Sequence, residues 1–297
     1  MNHETTINPS RSVEHLGDAG WAFVDCRFSL ADTGRGERDY AEAHVAGAVY
    51  AHLDRDLSGP IVAGVTGRHP LPSPDSLVRT FSRLGIGAGT QVVAYDDANG
   101  SLAAARLWWL LKWAGHDAVA VLDGGLAAWK SLGLPCARGV ENRSEAAFTA
   151  RFRPEMVMPV EELVVALRDP EFIVLDSRSV DRYRGLNETL DPVAGHIPGA
   201  ISAPYLENVT DDGSFRPAGH LADRFRRLTA GRDARHIVFY CGSGVTAAHN
   251  VLALARSGAG LAKLYPGSWS EWITDPRRPI AVGDGETIWQ PPGKALS

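Results

Sequence analysis

The stretch that decides the fold is His236–Ser257, which reads HIVFYCGSGVTAAHNVLALARS. Its first five residues form a β-branched and aromatic run typical of a buried strand, and the part from Thr246 onward has the apolar spacing of a helix. Earlier in the chain, Gln91–Tyr95 is strand-like, Ala103–Trp113 has a helical pattern, and Ala118–Leu122 is strand-like again. This alternation predicts an α/β fold in which parallel sheets carry helices on both faces.

Two further motifs occur once in each half of the chain and indicate a duplication. The segment Trp21–Arg27, WAFVDCR, matches Phe172–Arg178, FIVLDSR, because both are strand-like runs that end in Asp and Arg. The segment His44–Ala48, HVAGA, matches His196–Ala200, HIPGA, at nearly the same separation along the sequence. Self-similarity at a constant spacing is the signature of a repeated structural unit. We therefore predict two similar domains in tandem.

The stretch least suited to a packed core lies between the two copies, over residues 141–153, where charged and small polar side chains cluster. We predict that it links a first domain over residues 1–140 to a second domain over residues 154–297. Each copy then has the size of an ordinary domain. Ligand sites in such folds lie beyond the carboxyl ends of the parallel strands, so the loops that follow the strands are where chemistry is expected.

Composition and charge restrict the classes of function. The 297 residues include 30 Lys and Arg against 35 Asp and Glu, which gives a net charge of −5, and no basic block interrupts the chain. These values argue against a nucleic-acid partner and against an anionic-membrane partner. The three cysteines are far apart, fit neither a disulfide framework nor a zinc pattern, and favour the reducing cytoplasm. The oligomeric state is left open.

The loop Cys241–Thr246, CGSGVT, stands between the predicted strand and helix of the opening stretch and is the strongest functional signal. Gly242 and Gly244 allow the backbone to curl tightly, so that successive N–H groups can point at the cysteine sulfur. The positive end of the helix that follows adds to this field. Such a cradle favours the thiolate, the form in which a cysteine acts as a nucleophile. The alternative is an inert, buried cysteine whose neighbouring glycines only turn the chain.

The first copy provides an internal comparison for this loop. Its matching strand ends at Tyr95 and runs directly into Asp96, which therefore stands opposite Cys241 of the second copy. A carboxylate cannot replace a thiolate nucleophile in a cradle of this kind. We predict that the first domain is catalytically silent and supports the second.

Several motifs together establish a family resemblance that covers nearly the whole chain. Beyond the motifs already quoted, they are Arg106–Trp109, Gly115–His116, Asp123–Gly125, Arg182–Gly185 and Tyr265–Trp272. With them, the chain resembles a two-domain rhodanese-type sulfurtransferase, the family that contains thiosulfate and 3-mercaptopyruvate sulfurtransferases. The resemblance implies tandem rhodanese-like domains, of which the amino-terminal one is silent and the carboxy-terminal one active, with the site in the cleft between them.

The resemblance also implies the chemistry of the site. The Cys241 thiolate takes a sulfur atom from a small anionic donor, becomes a persulfide, and gives the outer sulfur to a thiol or to cyanide. No metal or organic cofactor is implied, because oriented backbone dipoles can stabilise the charge. The N–H groups expected to hold the persulfide are those of Gly242, Ser243, Gly244, Val245 and Thr246.

The side chains of the loop bear on the identity of the donor. Thiosulfate enzymes of the family tend to place Arg and Lys directly after the cysteine, whereas Gly242 and Ser243 are neutral and resemble the 3-mercaptopyruvate type. By the same resemblance, Ser243, His69 and Asp54 form a proton relay. A neutral histidine between a hydroxyl and a carboxylate can move a proton near neutral pH. Such a relay matters when the leaving group is an enolate and not when it is sulfite.

A second signal favours the other donor. By resemblance, Arg182 matches the family arginine that grips the carboxylate or sulfonate of the donor, a task suited to a planar, permanently charged group. In 3-mercaptopyruvate enzymes a second arginine follows nine positions later, but this chain has Asp191 there, as thiosulfate enzymes do. Arg184 is the candidate substitute for the missing arginine. The sequence therefore predicts a sulfurtransferase and leaves the donor open, with 3-mercaptopyruvate slightly favoured.

Two other classes of function are kept as alternatives. A cysteine-dependent phosphatase uses a similar anion-binding loop, but it needs an arginine six positions after the cysteine, where this chain has Ala247. A non-catalytic, duplicated binding module would require Cys241 to be inert. Selective reaction of Cys241 with iodoacetate at neutral pH would separate an enzyme from such a module.

Overall fold

The computed structural model describes residues 3–284 and 287–289. The first domain is built on a sheet of five parallel strands, β1, β6, β5, β2 and β4 in spatial order, and β3 pairs with β7 in a separate antiparallel ribbon. Its elements are β1 Thr6–Ile7, α1 Pro9–Ser12, β2 Trp21–Asp25, α2 Arg35–Glu42, β3 His44–Val45, β4 Val49–Tyr50, α3 Leu53–Asp56, α4 Pro74–Arg83, β5 Gln91–Tyr95, α5 Ala103–Trp113, β6 Val119–Leu122, α6 Gly125–Ser131 and β7 Cys136–Ala137.

The second domain repeats the plan with a sheet of four parallel strands, β11, β10, β8 and β9 in spatial order, and an antiparallel ribbon of β12 and β13. Its elements are α7 Val160–Ala166, β8 Ile173–Asp176, α8 Val180–Arg184, β9 Ile201–Ser202, α9 Ala218–Thr229, β10 Ile237–Tyr240, α10 Thr246–Arg256, β11 Lys263–Leu264, α11 Ser268–Trp272, β12 Ile280–Val282 and β13 Thr287–Trp289. No helix among the described residues is long and apolar enough to cross a membrane.

The predicted architecture of two α/β units with parallel sheets is confirmed. All residues of the central strands β5 and β10 are buried, as expected for strands with helices on both faces of the sheet. Helix α5 has the predicted bounds, and α10 starts at the predicted Thr246. In both domains, the apolar spacing of the sequence therefore predicted the strands and helices that build the core.

The duplication is visible in a buried ion pair that occurs once in each domain. Strand β2 ends at Asp25, whose carboxylate accepts hydrogen bonds from the guanidinium of Arg27, the closest at 2.7 Å. Strand β8 ends in the same way at Asp176, which accepts from Arg178 at 2.6 Å. In both copies the arginine also donates to the backbone carbonyl of the residue directly before the repeated histidine, which is His44 or His196. The two pairs hold equivalent strand ends.

The two domains share an apolar interface. Helix α5 of the first domain packs against α10 of the second, and one buried apolar cluster includes residues of both helices. Trp108 and Trp109 on α5 are fully buried, which agrees with a role in the core. Because the cores are continuous, the loops at the carboxyl ends of the two sheets are held in a fixed relation to each other.

The stretch between the copies is ordered against the first domain. Residues 138–153, all of them described, contain no helix or strand. Phe148 packs edge-on against Phe81 with 4.9 Å between ring centroids, and the Arg151 N–H group donates to the Ala114 carbonyl at 2.8 Å. The predicted boundaries at 140 and 154 stay predictions.

A single substitution tests how much the buried ion pair stabilises the first domain. Asp25→Ala leaves the buried guanidinium of Arg27 without its charge partner, so we expect the free energy of unfolding to fall by about 3–5 kcal/mol. The control Asp32→Ala removes an exposed partner of Arg38 and should cost less than about 1 kcal/mol. Urea denaturation followed by circular dichroism makes the comparison. Equal effects of the two substitutions would contradict a stabilising role of the buried pair.

Candidate active site

A cavity of about 620 Å³ lies between the two domains at the carboxyl ends of β5 and β10. Phe28 and His69 line it from the first domain, and Cys241 lines it from the second. The cleft lies where the topology of the sheets predicts a ligand site. It brings together loops of both domains around one thiol.

Cys241 follows β10 directly and is almost fully buried at the base of this cavity, with 2% of its surface exposed. Its sulfur accepts a hydrogen bond from the Gly244 N–H group at 3.2 Å, and its own N–H group donates to Ser268 Oγ at 3.1 Å. Helix α10 begins at Thr246, immediately behind the loop. The arrangement is a curled loop around a sulfur atom, with one N–H contact to that sulfur. The hydrogen bonds expected from the other N–H groups of the loop to the outer sulfur of a persulfide stay a prediction.

The sequence folds this way locally because Gly244 allows it. Its φ is +75°, and a Cβ there would lie 2.3 Å from the Pro266 carbonyl oxygen, so any other residue would meet both strain and a clash. Two further contacts tie the loop to α11. The Trp269 N–H group donates to the Cys241 carbonyl at 3.0 Å, and the Ser270 N–H group donates to the Gly242 carbonyl at 2.9 Å.

The structure brings the three predicted relay residues together across the domain boundary. Ser243 Oγ lies 2.7 Å from His69 Nδ1, and His69 Nε2 lies 3.3 Å from Asp54 Oδ1. Burial lowers the pKa of His69 to about 3, with the positive charges of Arg106 and Arg68 acting in the same direction. The imidazole is therefore neutral near pH 7. We assign its proton to Nε2, because an ionised carboxylate can only accept, and Nδ1 then accepts from the Ser243 hydroxyl.

The matching loop of the first domain holds an anion of its own. Four backbone N–H groups donate to the fully buried carboxylate of Asp96, those of Ala98 and Gly100 to one oxygen and those of Leu102 and Ala104 to the other, at 2.8–3.2 Å. The loop after this strand is thus a cradle for negative charge, filled by a side chain of the protein. Without a thiol in it, the first domain has no nucleophile at the position of Cys241.

Arg182 lies at the cavity as the sequence predicts, and it meets an arginine that sequence reasoning missed. Its guanidinium donates to Asp191 Oδ2 at 2.9 Å and to Glu188 at 2.9 Å. The other oxygen of the Asp191 carboxylate accepts from Arg68, which belongs to the first domain. Both arginines line the cavity. The only sequence signal for Arg68 was its position beside His69.

Two other positions singled out in the sequence lie elsewhere. Arg184, the candidate substitute for a second donor arginine, ends α8 and donates to Asp284 at 2.6 Å, and it is not among the residues that line the cavity. Ala247, where a phosphatase would need an arginine, is a fully buried residue of α10.

Arg106 is a second residue of the candidate site to which the sequence analysis gave no role, although its motif was noted. It is fully buried on α5 and donates to the Gly244 carbonyl at 3.1 Å, to the His69 carbonyl at 3.1 Å, and to the Leu57 carbonyl at 3.4 Å. Burial lowers the pKa of Arg106 to about 10, so it stays protonated at neutral pH. One cation thus joins the cysteine loop to the loop that contains His69, the histidine loop. A lone arginine in the otherwise apolar segment AAARLWWLL was the signal that could have indicated it.

The low pKa of His69 gives a direct prediction. A histidine whose pKa is lowered to about 3 should remain neutral from pH 7 down to about pH 4, whereas an ordinary histidine becomes protonated near pH 6.5. NMR of ring-labelled histidine follows the titration, and the His69→Gln variant assigns the signal. A His69 signal that titrates near pH 6.5 would contradict the buried, neutral relay.

Comparisons with known proteins agree with this geometry. The chain matches the Rhodanese-like domain family over residues 9–132 and again over residues 159–275. A Pseudomonas aeruginosa protein provisionally named a 3-mercaptopyruvate sulfurtransferase is 46% identical over 285 residues, which cover 96% of this chain and 100% of the relative. A Mycobacterium tuberculosis protein provisionally named the thiosulfate sulfurtransferase SseB is 40% identical over 268 residues, which cover 88% of this chain and 91% of the relative.

A solved structure extends the likeness to the fold. The crystal structure of SseA from Escherichia coli, described with the catalytic mechanism of 3-mercaptopyruvate sulfotransferases, superposes with a TM-score of 0.78 at 30% identity. The match covers 91% of this chain and 100% of SseA. With both domains matched and relatives aligned over nearly their whole lengths, the chain belongs to the rhodanese family, as a two-domain sulfurtransferase.

Proposed function

We propose that this protein is a 3-mercaptopyruvate sulfurtransferase that carries the transferred sulfur as a persulfide on Cys241 and delivers it to a thiol or to cyanide. The observation that carries the proposal is the line of contacts from Ser243 in the cysteine loop through His69 to Asp54. A relay of this kind suits a leaving group that must be protonated at carbon. The names of the P. aeruginosa relative and of the E. coli structure support the same donor.

In the first half-reaction the Cys241 thiolate attacks the sulfur of 3-mercaptopyruvate. Its electron pair forms the new S–S bond, and the electrons of the broken C–S bond pass to the methylene carbon, which gives the enolate of pyruvate. The proton of the donor thiol passes to the relay that begins at Ser243, and a proton delivered to the enolate carbon completes pyruvate. Cys241 is left as a persulfide anion, stabilised by the backbone dipoles of the loop.

In the second half-reaction the acceptor attacks the outer sulfur of the persulfide. The electrons of the S–S bond return to Cys241, which leaves as a thiolate ready for another cycle. A thiol acceptor becomes a persulfide, with its proton moved to the outer sulfur, and cyanide becomes thiocyanate. Neither half needs an external oxidant. The electrons that the donor sulfur gives up in the first half stay on the methylene carbon, which becomes the methyl group of pyruvate, and the second half only moves the sulfane sulfur from Cys241 to the acceptor.

Thiosulfate is a second candidate donor, for two reasons. The guanidinium groups of Arg68 and Arg182 lie close to the cysteine loop and suit a sulfonate as well as a carboxylate. The M. tuberculosis relative carries a thiosulfate name. Sulfite leaves as a stable anion, so this donor does not need the relay.

We place the reaction in the cytoplasm. Support comes from Cys26, Cys136 and Cys241, which are all free thiols in the structure and form no disulfide framework in the sequence. A reducing compartment keeps the nucleophile available for each cycle.

Steady-state turnover with each donor tests the proposal. The wild type, Cys241→Ser and His69→Gln are assayed in parallel with 3-mercaptopyruvate plus dithiothreitol and with thiosulfate plus cyanide. Cys241→Ser should abolish both activities, because the nucleophile is lost. His69→Gln should lower kcat with 3-mercaptopyruvate by about 100-fold or more and change thiosulfate turnover by less than about 10-fold. Cys136→Ser, which removes an exposed thiol distant in sequence from the loop, is the matched control.

Two outcomes would contradict the proposal. Activity that survives in Cys241→Ser would mean that another group carries the sulfur. Equal losses with both donors in His69→Gln would mean that the histidine supports the loop and does not move a proton for the enolate.

A further inference from the structure

Asp191 is the point where the two domains meet beside the cysteine loop. Its side chain is 1% exposed, and its two carboxylate oxygens are taken by two different guanidinium groups. Arg182 of the second domain donates to Oδ2 at 2.9 Å, and Arg68 of the first domain donates to Oδ1. A carboxylate bound on both sides is not free to contact a substrate. It can, however, fix the position of both arginines.

The guanidinium groups of both arginines also lie next to Gly242 in the cysteine loop. A Cβ built on Gly242, the residue after Cys241, would lie 3.0 Å from Arg68 Nη2 and 3.4 and 3.5 Å from Arg182 Nη2 and Nη1. Within the described residues, Arg68 Nη2 and Arg182 Nη1 have no hydrogen-bond acceptor of their own, and Arg68 Nε is buried without one. Gly242 leaves room for both groups to approach the loop.

We infer that Arg68, supplied by the silent domain and held by Asp191, is the second arginine of the donor site and binds the carboxylate of the donor together with Arg182. The inference rests on the proposed function and names a residue for its donor specificity. Asp191 then contributes to anion binding although its own side chain is negative, because it fixes the position of an arginine from the other domain.

The other arginines near the cavity are less suited to this task. Arg178 lines the cavity, but its guanidinium is 1% exposed and is bound by Asp176 and Glu188. Arg35 also lines the cavity, but it is paired with two acidic side chains of the first domain. Arg184 is paired with Asp284 outside the cavity lining. Arg68, with 28% of its side chain exposed, combines access to the cavity with proximity to the loop.

The position of Arg68 also couples binding of the donor to the alignment of the proton relay. It directly precedes His69, and its backbone N–H group donates to Ser270 Oγ of the second domain at 3.1 Å. A donor carboxylate bound by Arg68 would therefore hold the histidine loop against the cysteine loop. The orientation of the bound donor and the alignment of the relay then depend on the same segment.

A pair of donors separates carboxylate binding from a structural role. The first is 3-mercaptopyruvate, and the second is mercaptoacetone, which has a methyl group in place of the carboxylate. For 3-mercaptopyruvate, Arg68→Ala should lower kcat/KM by about 10- to 100-fold, mainly through KM, because a charge-assisted hydrogen bond is lost. For mercaptoacetone, kcat/KM should change by less than about 2-fold, since that donor never made the bond.

Three further variants complete the experiment. Arg68→Lys should recover part of the loss, because it restores the charge without the planar pair of donors. Arg182→Ala should show the same dependence on the donor carboxylate as Arg68→Ala. Arg235→Ala, which removes an exposed arginine paired with Asp233, should leave both donors unaffected.

Failure of the Arg68 role and failure of the proposed donor would give different results. Equal losses with both donors in Arg68→Ala, or an unchanged KM for 3-mercaptopyruvate, would overturn the role of Arg68 while the wild type still turns the donor over. A wild type that does not use 3-mercaptopyruvate would overturn the proposed donor. In that case Arg68→Ala is assayed with thiosulfate, and an unchanged KM there would overturn the inference as well.

Discussion

The whole site depends on one buried cation, the guanidinium of Arg106. It is fully buried between the domains and has no carboxylate partner among the residues that the structure describes. Its N–H groups donate to the backbone carbonyls of Leu57, His69 and Gly244. An ion in this position is stable only if its hydrogen bonds are made, because desolvation would otherwise outweigh its attractions. The three loops must therefore stay in place around it. The apolar packing of α5 on α10 holds the cation at the junction.

This constraint explains how the first domain contributes to a site whose thiol lies in the second domain. Its own loop holds the carboxylate of Asp96 at the position that Cys241 takes in the second domain. It nevertheless provides His69 and Asp54 to the relay and Arg68 to the arginine pair at Asp191. One half of the duplication therefore carries Cys241, and the other half brings a histidine, a carboxylate and a guanidinium to the same cavity. Neither half contains the complete site.

The sequence predicted those parts of the structure that depend on local patterns. Helix α5 and the start of α10 follow from apolar spacing, and the Cys241 loop follows from two glycines between a strand and a helix. The relay came from a family resemblance, and its contacts then appeared across the domains. Arg68 and Arg106 were missed because their roles depend on contacts with residues more than 100 positions away. Arg184 was named as a substitute because no arginine follows it before Arg216, and in the structure it pairs with Asp284.

In the proposed mechanism, Cys241 alone receives the donor sulfur. The most direct test is mass spectrometry of the protein after incubation with 3-mercaptopyruvate and removal of excess donor, without an acceptor. We expect one added sulfur atom per chain, located on the peptide that contains Cys241 and lost again when cyanide is added. Added sulfur on Cys26 or Cys136 with none on Cys241, or no added sulfur on any cysteine while pyruvate is released, would contradict it.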